Sequence, residues 1–299
     1  MKKIKIWLKA FRLRTLPLSL SGIIAGSAYA YYTGNGSYMI FIFAIFTTLF
    51  LQILSNLAND LGDTLKGADN ENRVGPKRSV QSGDISIVNM KKAVVVFSLL
   101  SIISALILIY IGIIGQPIFM ILTYIILAIF SVIAAITYTV GKKAYGYSGL
   151  GDIFVFIFFG GVSTLGVYTL YAKTFSFELI LIAMSIGFLS TAVLNLNNLR
   201  DHENDKIVGK NTLIVKFGFQ KGKIYHATLL TTAILSYLTF TFLIQNFILL
   251  IGIIAFIPLL KHLNKVIKCK EPRALDSELK KVAISTFLLS ILFAIGLWI

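Results

Sequence analysis

The sequence predicts an all-α membrane protein, a polytopic helical bundle with nine transmembrane helices. Hydrophobic residues make up 57% of the 299 residues, and the mean hydropathy is +0.83. Charged residues make up only 14%, whereas a soluble protein carries about a quarter. The apolar residues fall into long uncharged runs such as 38–54. Because backbone N–H and C=O groups must be paired within lipid, these runs are predicted to be helices.

The nine predicted spans follow from runs of roughly 20 apolar residues, the length that crosses a bilayer as a helix. They cover residues 15–33, 38–58, 93–114, 117–138, 153–171, 177–196, 224–244, 247–260 and 282–299. The eighth is short and ends near Pro258, and proline interrupts helical hydrogen bonding. We therefore expect that span to be tilted or incomplete. Since the sequence shows no separate soluble domain and no low-complexity linker, we predict a single domain over 1–299.

Lysine and arginine fall almost entirely on one side of these spans. Of the 28 basic residues, 27 precede the first span or follow an even-numbered one, and only Lys173 lies on the other side. Acidic residues follow the same pattern, with Glu178 as the exception. The positive-inside rule then predicts a multi-pass protein of the cytoplasmic (inner) membrane, with its N-terminus cytoplasmic and its C-terminus outside. The net charge of +15 thus reflects topology and does not indicate nucleic-acid binding.

Two clusters of acids and amides close the second and sixth spans. The first contains Asn56, Asn59, Asp60, Asp63 and Asp69, and the second contains Asn197, Asn198, Asp201, Glu203 and Asp205. Residues four apart share one face of a helix, so the N-x-x-x-D spacing predicts two similar carboxylate faces. We interpret this spacing as a pseudo-repeat that brings the two faces together. The alternatives are a chance likeness of two helix ends, or acids that only cap helices.

Clustered carboxylates favour a divalent cation. Two unit charges about 6 Å apart repel by roughly 3 kcal/mol at an effective dielectric constant of about 20. Mg²⁺ binds one or two carboxylates and completes its shell with water and phosphate oxygens. Two opposed faces would therefore suit two Mg²⁺ ions bridging a diphosphate. The spacing fits neither an EF-hand nor a P-loop.

Basic and polar side chains follow each cluster. They are Arg73, Arg78 and Gln81 after the first, Arg200 and Lys210 around the second, and Tyr138, Lys142 and Asp152 between the fourth and fifth spans. Arginine binds oxygen pairs in a fork and lysine supplies a point charge. Acids and bases in the same connections indicate a metal-bound polyphosphate more than a bare cation. The alternative for each base is a purely topological charge, and for Asp152 a helix cap.

These motifs together resemble the UbiA superfamily of intramembrane prenyltransferases over the whole chain. The matching motifs are N-D-x-x-D (Asn59, Asp60, Asp63), D-x-x-x-D (Asp201, Asp205) and Y-x-x-x-K (Tyr138, Lys142). Stretches such as "NLANDLGDTLKGAD" and "NNLRDHENDKIVGKNTL" are most similar to the 1,4-dihydroxy-2-naphthoate polyprenyltransferases of menaquinone synthesis. The superfamily often has a third acid at the position of Gly67, so we do not expect Asp69 to be a direct ligand.

The resemblance implies a UbiA-like fold and a Mg²⁺-dependent reaction in the lipid bilayer. A polyprenyl group would pass from polyprenyl diphosphate to 1,4-dihydroxy-2-naphthoate, with loss of CO₂ and diphosphate, to give demethylmenaquinol. The implied Mg²⁺ ligands are Asn59, Asp60, Asp63, Asp201 and Asp205. The implied catalytic residues are Asp63, Asp201, Asp205 and Lys142, and the implied substrate-binding residues are Arg73, Arg78, Gln81, Tyr138, Asp152, Asn197, Asn198, Arg200 and Lys210.

Two alternatives to this function remain open. The acceptor could be another aromatic compound, namely 4-hydroxybenzoate, homogentisate or a tetrapyrrole. More remotely, the protein could be a transporter for a cation or an anionic solute. Transporters, however, usually hold their polar residues near the middle of the membrane. The three histidines give no further signal, because we expect His202 in a loop, and His226 and His262 show no partner pattern in the sequence.

Overall fold

The computed structural model describes residues 2–71 and 74–299, except for the side chain of Lys2. Every regular element in that part of the chain is a helix. The helices are α1 (Lys2–Phe11), α2 (Leu16–Tyr32), α3 (Tyr38–Leu65), α4 (Ile87–Ile113), α5 (Ile118–Thr137), α6 (Gly151–Ala172), α7 (Leu179–Ile207), α8 (Leu213–Phe217), α9 (Phe219–Leu243), α10 (Phe247–Lys268) and α11 (Asp276–Trp298). Short 3₁₀ turns at Leu13–Thr15, Tyr145–Tyr147 and Pro272–Leu275 lie between them.

The helices match the predicted spans. Among the described residues, eight helices are long and apolar enough to cross a membrane. The first predicted span corresponds to α2, which has 17 residues. The all-α membrane bundle is therefore confirmed, and the predicted number of nine spans is approximately right.

Several helices extend further than predicted at one end of the bundle. The second and sixth spans were expected to end at 58 and 196, but α3 continues to Leu65 and α7 to Ile207. His202 therefore lies on a helix and not in a loop, so that prediction was wrong. Hydropathy locates only the apolar part of a helix. These helices continue past that part because their polar side chains have hydrogen-bond and ion-pair partners there. We call this end of the bundle, where α3, α5, α7 and α10 finish, the motif end.

The eighth span is also longer than predicted, because Pro258 does not end it. The helix begins as a 3₁₀ segment at Phe247–Phe256 and continues as an α-helix from Ile257 to Lys268. Pro258 lies in the first turn of the α-helical part. Proline is common in the first turn of an α-helical segment, so it is tolerated where the 3₁₀ segment changes to α-helix.

Helix α7 lies at the centre of the bundle. It packs against α6, α9 and α11, while α3 packs against α4 and α5. Its buried apolar residues, such as Leu189 and Leu196, form one core with Tyr237 and Phe240 of α9 and Phe293 of α11. A central α7 fixes the position of the second acidic motif relative to most of the other helices.

Glycines allow α6 to approach its neighbours closely. A Cβ atom on Gly160 would lie 2.4 Å from the backbone oxygen of Ala183 in α7. A Cβ atom on Gly26 of α2 would lie 2.4 Å from the backbone oxygen of Thr164. Small residues are common where membrane helices meet, because they let two backbones come together. By contrast, a Cβ atom on Gly161, the next residue along α6, would have no neighbour within 4 Å among the described residues.

We expect Gly160→Ala to lower the thermal unfolding midpoint of the purified protein and Gly161→Ala to leave it nearly unchanged. The added methyl group at 160 must push α6 away from α7, and overpacking of this kind costs about 1–3 kcal/mol. Thermal unfolding in detergent measures both variants. Equal midpoints for the two would contradict the close α6–α7 contact.

Candidate active site

The first acidic motif is held together by one buried arginine. Arg78, in the loop after α3, donates from Nη1 to the backbone oxygen and the Oδ1 atom of Asn59, both at 2.7 Å. The same nitrogen lies 2.7 Å from Asp63 Oδ2, and Arg78 Nε lies 3.2 Å from Asp69 Oδ1. One guanidinium thus bridges the asparagine and the aspartate of the first N-x-x-x-D pair. Burial acts to lower the pKa of Arg78, but Asp63 and Asp69 raise it above its ordinary value.

The second motif repeats this arrangement on α7. Arg200 donates to both oxygens of Asp201, from Nε at 2.8 Å and from Nη2 at 2.6 Å. Its Nη2 also donates to Asn197 Oδ1 at 2.6 Å, and its Nη1 donates to Asp276 Oδ1 at 2.5 Å. Each N-x-x-x-D pair therefore carries a bridging arginine and a third acid outside the pair.

The two motifs meet at the motif end. Asn204 of α7 donates to the backbone oxygen of Ala68, which follows α3, at 3.1 Å. Tyr147 and Lys210 lie between the motifs. The hydroxyl of Tyr147 donates to Asp63 Oδ1 at 2.8 Å, and Lys210 Nζ lies 3.8 Å from Asp205 Oδ1.

Charges of both motifs act on Lys210. Burial alone would lower the pKa of this ammonium, but the carboxylates of Asp63 and Asp205 raise it above its ordinary value. Burial and the nearby Asp63 likewise raise the pKa of Tyr147, so its hydroxyl stays a neutral donor. Lys66 adds a further cation, with Nζ 3.9 Å from the centroid of the Tyr147 ring. The site is therefore a cluster of acids that depends on fixed positive charge.

The oxygens of this cluster fit a hard divalent cation. Asn59, Asp63, Asp201 and Asp205 offer only amide and carboxylate oxygens, the ligands that Mg²⁺ prefers. The Oδ2 atom of buried Asp205 has no hydrogen-bond partner in the described part of the chain. Among the described residues no three histidine, cysteine or acidic side chains converge on one point. A metal here would take few protein ligands, which suits an ion that shares its shell with phosphate oxygens.

Two other predicted residues shape the loop that carries Arg78. Asp60 accepts hydrogen bonds from the backbone N–H groups of Ser79 and Val80, at 3.1 and 3.3 Å. Gln81 donates from Nε2 to the backbone oxygen of Asn70 at 3.1 Å, and its Oε1 accepts from the backbone of Arg78 at 3.2 Å. Arg73 lies outside the described residues.

The remaining predicted residues are less closely grouped. Lys142 is exposed in the turn after α5, and its side chain makes no ion pair or hydrogen bond with the described residues. Asp152, in the first turn of α6, accepts from the hydroxyl of Tyr225 at 3.3 Å. Asn198 is buried on α7. Tyr138 and Asn197 border the cavity described next.

An apolar cavity of about 330 Å³ extends from the two motifs into the bundle. Asn59, Asn197 and Tyr138 border it at the motif end, and Tyr124 and Leu170 border it further in. The walls between come from α2 to α6 and carry mainly small and apolar side chains, including Ala44, Ala105, Leu108, Ala128, Phe154 and Phe158. Such a cavity suits a flexible hydrocarbon chain whose polar head lies at the motifs.

Several polar residues of this region were not found from the sequence. Tyr147 lies in the stretch "YTVGKKAYGYSGLGD", but only the fold shows that its hydroxyl reaches Asp63. The sequence did not indicate a role for Asp276, because this residue pairs with Arg200 from a helix that is distant in the sequence. His226 and His262 showed no partner pattern in the sequence, but in the fold their Nε2 atoms lie 2.8 Å apart. Contacts between separate helices have no characteristic spacing in the sequence, so sequence patterns do not predict them.

We expect Tyr147→Phe to lower the free energy of unfolding by about 1.5–3 kcal/mol, the typical contribution of a hydrogen bond to a charged group. Tyr145→Phe is a matched control, because its hydroxyl donates to the neutral backbone oxygen of Ala134 at 2.9 Å. For that variant we expect a loss of about 1 kcal/mol. Unfolding in detergent measures both, and a loss in the control at least as large would contradict the role of Tyr147.

Lys210 should also stabilise the protein over an unusually wide pH range. Since its folded-state pKa is raised, its contribution is fully present below the ordinary lysine pKa of about 10.4. It is lost only as the pH rises through the higher folded-state value. The stability difference between the native protein and Lys210→Met should therefore stay constant from about pH 7 to 10. Unfolding measured across this range tests it, and a difference that shrinks by pH 9 would contradict the raised pKa.

Comparison with known proteins identifies the family of this chain. The model of the UbiA prenyltransferase family matches residues 19–298. The chain is 40% identical over 305 residues to the 1,4-dihydroxy-2-naphthoate octaprenyltransferase of Haemophilus influenzae, covering 100% of this chain and 97% of the relative. It is also 40% identical over 294 residues to the enzyme of the same name from Escherichia coli, covering 98% and 95%.

Solved structures show the same fold at lower identity. A UbiA homologue from Archaeoglobus fulgidus bound to GPP and Mg²⁺ aligns with a TM-score of 0.65 at 15% identity over 98% of each chain. A structure of digeranylgeranylglyceryl phosphate synthase aligns with a TM-score of 0.63 at 20% identity over 99% of each chain. The family match, the identity to the curated relatives and the shared fold agree, and this chain belongs to the UbiA prenyltransferase family.

Proposed function

We propose that this protein transfers a polyprenyl group from polyprenyl diphosphate to 1,4-dihydroxy-2-naphthoate. The reaction depends on Mg²⁺, releases diphosphate and CO₂, and gives demethylmenaquinol. The observation that carries this proposal is the pair of bridged acidic motifs at the mouth of an apolar cavity of about 330 Å³. The 40% identity to naphthoate octaprenyltransferases over the whole chain supports this acceptor.

Asn59, Asp63, Asp201 and Asp205 would hold Mg²⁺ in this proposal. The metal, when bound, would neutralise negative charge on the diphosphate. We place Asp60 in a supporting role, because it accepts from the backbone N–H groups of Ser79 and Val80, the residues that directly follow Arg78. Its contribution would be to fix the loop that presents Arg78.

The cations of the site would bind the diphosphate and stabilise it as a leaving group. Arg78 and Arg200 supply fixed positive charge beside the acids, and Lys210 offers a buried positive charge between the motifs. Preorganised charge of this kind stabilises the negative charge that develops as the allylic carbon–oxygen bond breaks. Lys66, beside Tyr147, joins this set. Arg73, Gln81 and Lys142 stay predicted contributors from the surrounding loops.

The cavity would hold the isoprenoid chain and protect the reacting carbon. An allylic cation must be kept from water, and apolar walls do so. Aromatic rings border the cavity near the motif end, with Tyr138, Tyr145, Phe154 and Phe158 among them. Ring faces attract a cation. The electron-rich acceptor ring would attack the allylic carbon there, and loss of its carboxylate as CO₂ would leave the quinol.

We place the acceptor beside Tyr138, Asn197 and Asn198, with Asp152 nearby at the start of α6. Two of these residues, Tyr138 and Asn197, border the cavity at the end where the diphosphate would lie. We also propose that 1–299 forms one domain with a cytoplasmic N-terminus and active site. The concentration of basic residues at the motif end supports this orientation in the cytoplasmic membrane.

We expect purified protein to release diphosphate from polyprenyl diphosphate only when Mg²⁺ and 1,4-dihydroxy-2-naphthoate are present. Asp63→Asn and Asp201→Asn should each lower turnover by at least about 100-fold, since each removes a charge that holds the metal. Asp84→Asn is the control, because this exposed acid lies at the same end of the bundle outside the site. Near-normal turnover in both motif variants would contradict the metal assignment.

Mass spectrometry of the products tests the acceptor separately. We expect prenylated naphthoquinol from 1,4-dihydroxy-2-naphthoate and no product from 4-hydroxybenzoate or homogentisate. A product from another acceptor alone would reject the proposed substrate. Flux of a cation or anionic solute across liposomes, with no prenyl transfer, would instead support a transporter.

A further inference from the structure

A chain of buried hydrogen bonds links α11 to α7 outside the cavity. Glu278 Oε2 lies 2.8 Å from His262 Nδ1, and His262 Nε2 lies 2.8 Å from His226 Nε2. His226 Nδ1 then lies 3.1 Å from the side-chain oxygen of Asn195. All four residues are fully buried. The chain joins α11, α10 and α9 to the central helix that carries the second acidic motif.

The charges around this chain indicate that both histidines are neutral. Lys265 and Lys281 donate to Glu278 Oε1 at 2.8 and 2.9 Å. These two partly exposed lysines already compensate the single carboxylate, and an imidazolium beside them would add uncompensated positive charge in a buried site. We therefore take His226 and His262 as neutral, so each carries one N–H.

Glu278 then determines the direction of every hydrogen bond in the chain. An ionised carboxylate can only accept, so His262 must donate from Nδ1 and accept at Nε2. His226 must consequently donate from Nε2 and accept at Nδ1 from the amide nitrogen of Asn195. This orientation exchanges the two side-chain atoms of Asn195, whose amide nitrogen otherwise has no partner in the described residues. The exchange leaves a carbonyl oxygen, not a buried N–H group, without a partner, which is the smaller penalty.

A second contact runs from the same turn of α11 to the same part of α7. Asp276, two residues before Glu278, accepts from Arg200, and Arg200 holds both Asn197 and Asp201. Asn195 lies two residues before Asn197 on α7. The first turn of α11 therefore contacts α7 by two independent routes.

We propose that Asp276 and Glu278 are positioning residues that fix the second acidic motif for metal-diphosphate binding. Asp276 acts through Arg200, and Glu278 acts through the His262–His226–Asn195 chain. The inference rests on the proposed function, because it assigns a purpose to the position of Asn197 and Asp201. Supporting contacts of this kind typically change metal affinity by about 10- to 100-fold when they are lost.

Glu278→Gln tests the chain with little change in volume. The amide can still accept from the lysines, but it now donates to His262, which reverses the hydrogen bonds as far as Asn195. We expect Mg²⁺-dependent binding of inorganic diphosphate, measured by calorimetry on the full-length protein in detergent, to weaken about tenfold. Thr286→Val is the matched control, because it removes a buried hydroxyl within the same helix. It should bind as the native protein does.

A double-mutant cycle tests whether Glu278 acts through the His262–His226–Asn195 chain. If Glu278 acts through Asn195, the effects of Glu278→Gln and Asn195→Ala on the diphosphate dissociation constant will not add. Asp276→Asn tests the other route at a partly exposed residue and should weaken binding about tenfold. Binding equal to the native protein in both Glu278→Gln and Asp276→Asn, or additive effects in the cycle, would overturn the proposal. No Mg²⁺-dependent diphosphate binding by the native protein would instead reject the proposed function.

Discussion

The buried arginines Arg78 and Arg200 make the rest of the site possible. Each motif places an asparagine and an aspartate one helical turn apart, where unbalanced charge at a membrane boundary would be costly. A guanidinium satisfies several oxygens at once with fixed geometry. Arg78 connects Asn59, Asp63 and Asp69, and Arg200 connects Asn197, Asp201 and Asp276. Because these oxygens are paired, α3 and α7 can stay helical beyond their apolar segments.

The two motifs and the cavity form one functional arrangement. Charge collects at the motif end, where Lys210 and Tyr147 lie between the acids. The cavity continues inward from the same point between α2 and α6. An amphiphilic substrate with a charged head and an apolar chain matches this division. In our proposal, the same division separates leaving-group stabilisation at the motifs from protection of the allylic carbon in the cavity.

Much of the fold could be predicted from the sequence, because long apolar runs and one-sided basic residues report directly on membrane spans. The N-x-x-x-D spacing also indicated Asn59, Asp63, Asn197 and Asp201 as a matched set. The helix ends were less predictable, because hydropathy locates only the apolar part of a helix. It gives no sign that a helix continues through polar residues that have partners. Contacts between distant helices, such as Arg200 with Asp276 and His226 with His262, could not be predicted, because the contacting residues have no characteristic spacing in the sequence. Tyr147 was missed for the same reason.

Binding of Mn²⁺ in place of Mg²⁺, followed by electron paramagnetic resonance, would test whether both motifs bind one metal-diphosphate. The protein would be titrated with Mn²⁺ in the presence of an unreactive prenyl diphosphate analogue. We expect phosphorus coupling to bound, mutually coupled Mn²⁺ ions in the native protein. Asp63→Asn and Asp201→Asn should each remove the coupling between ions. Native-like spectra in both variants would contradict the account.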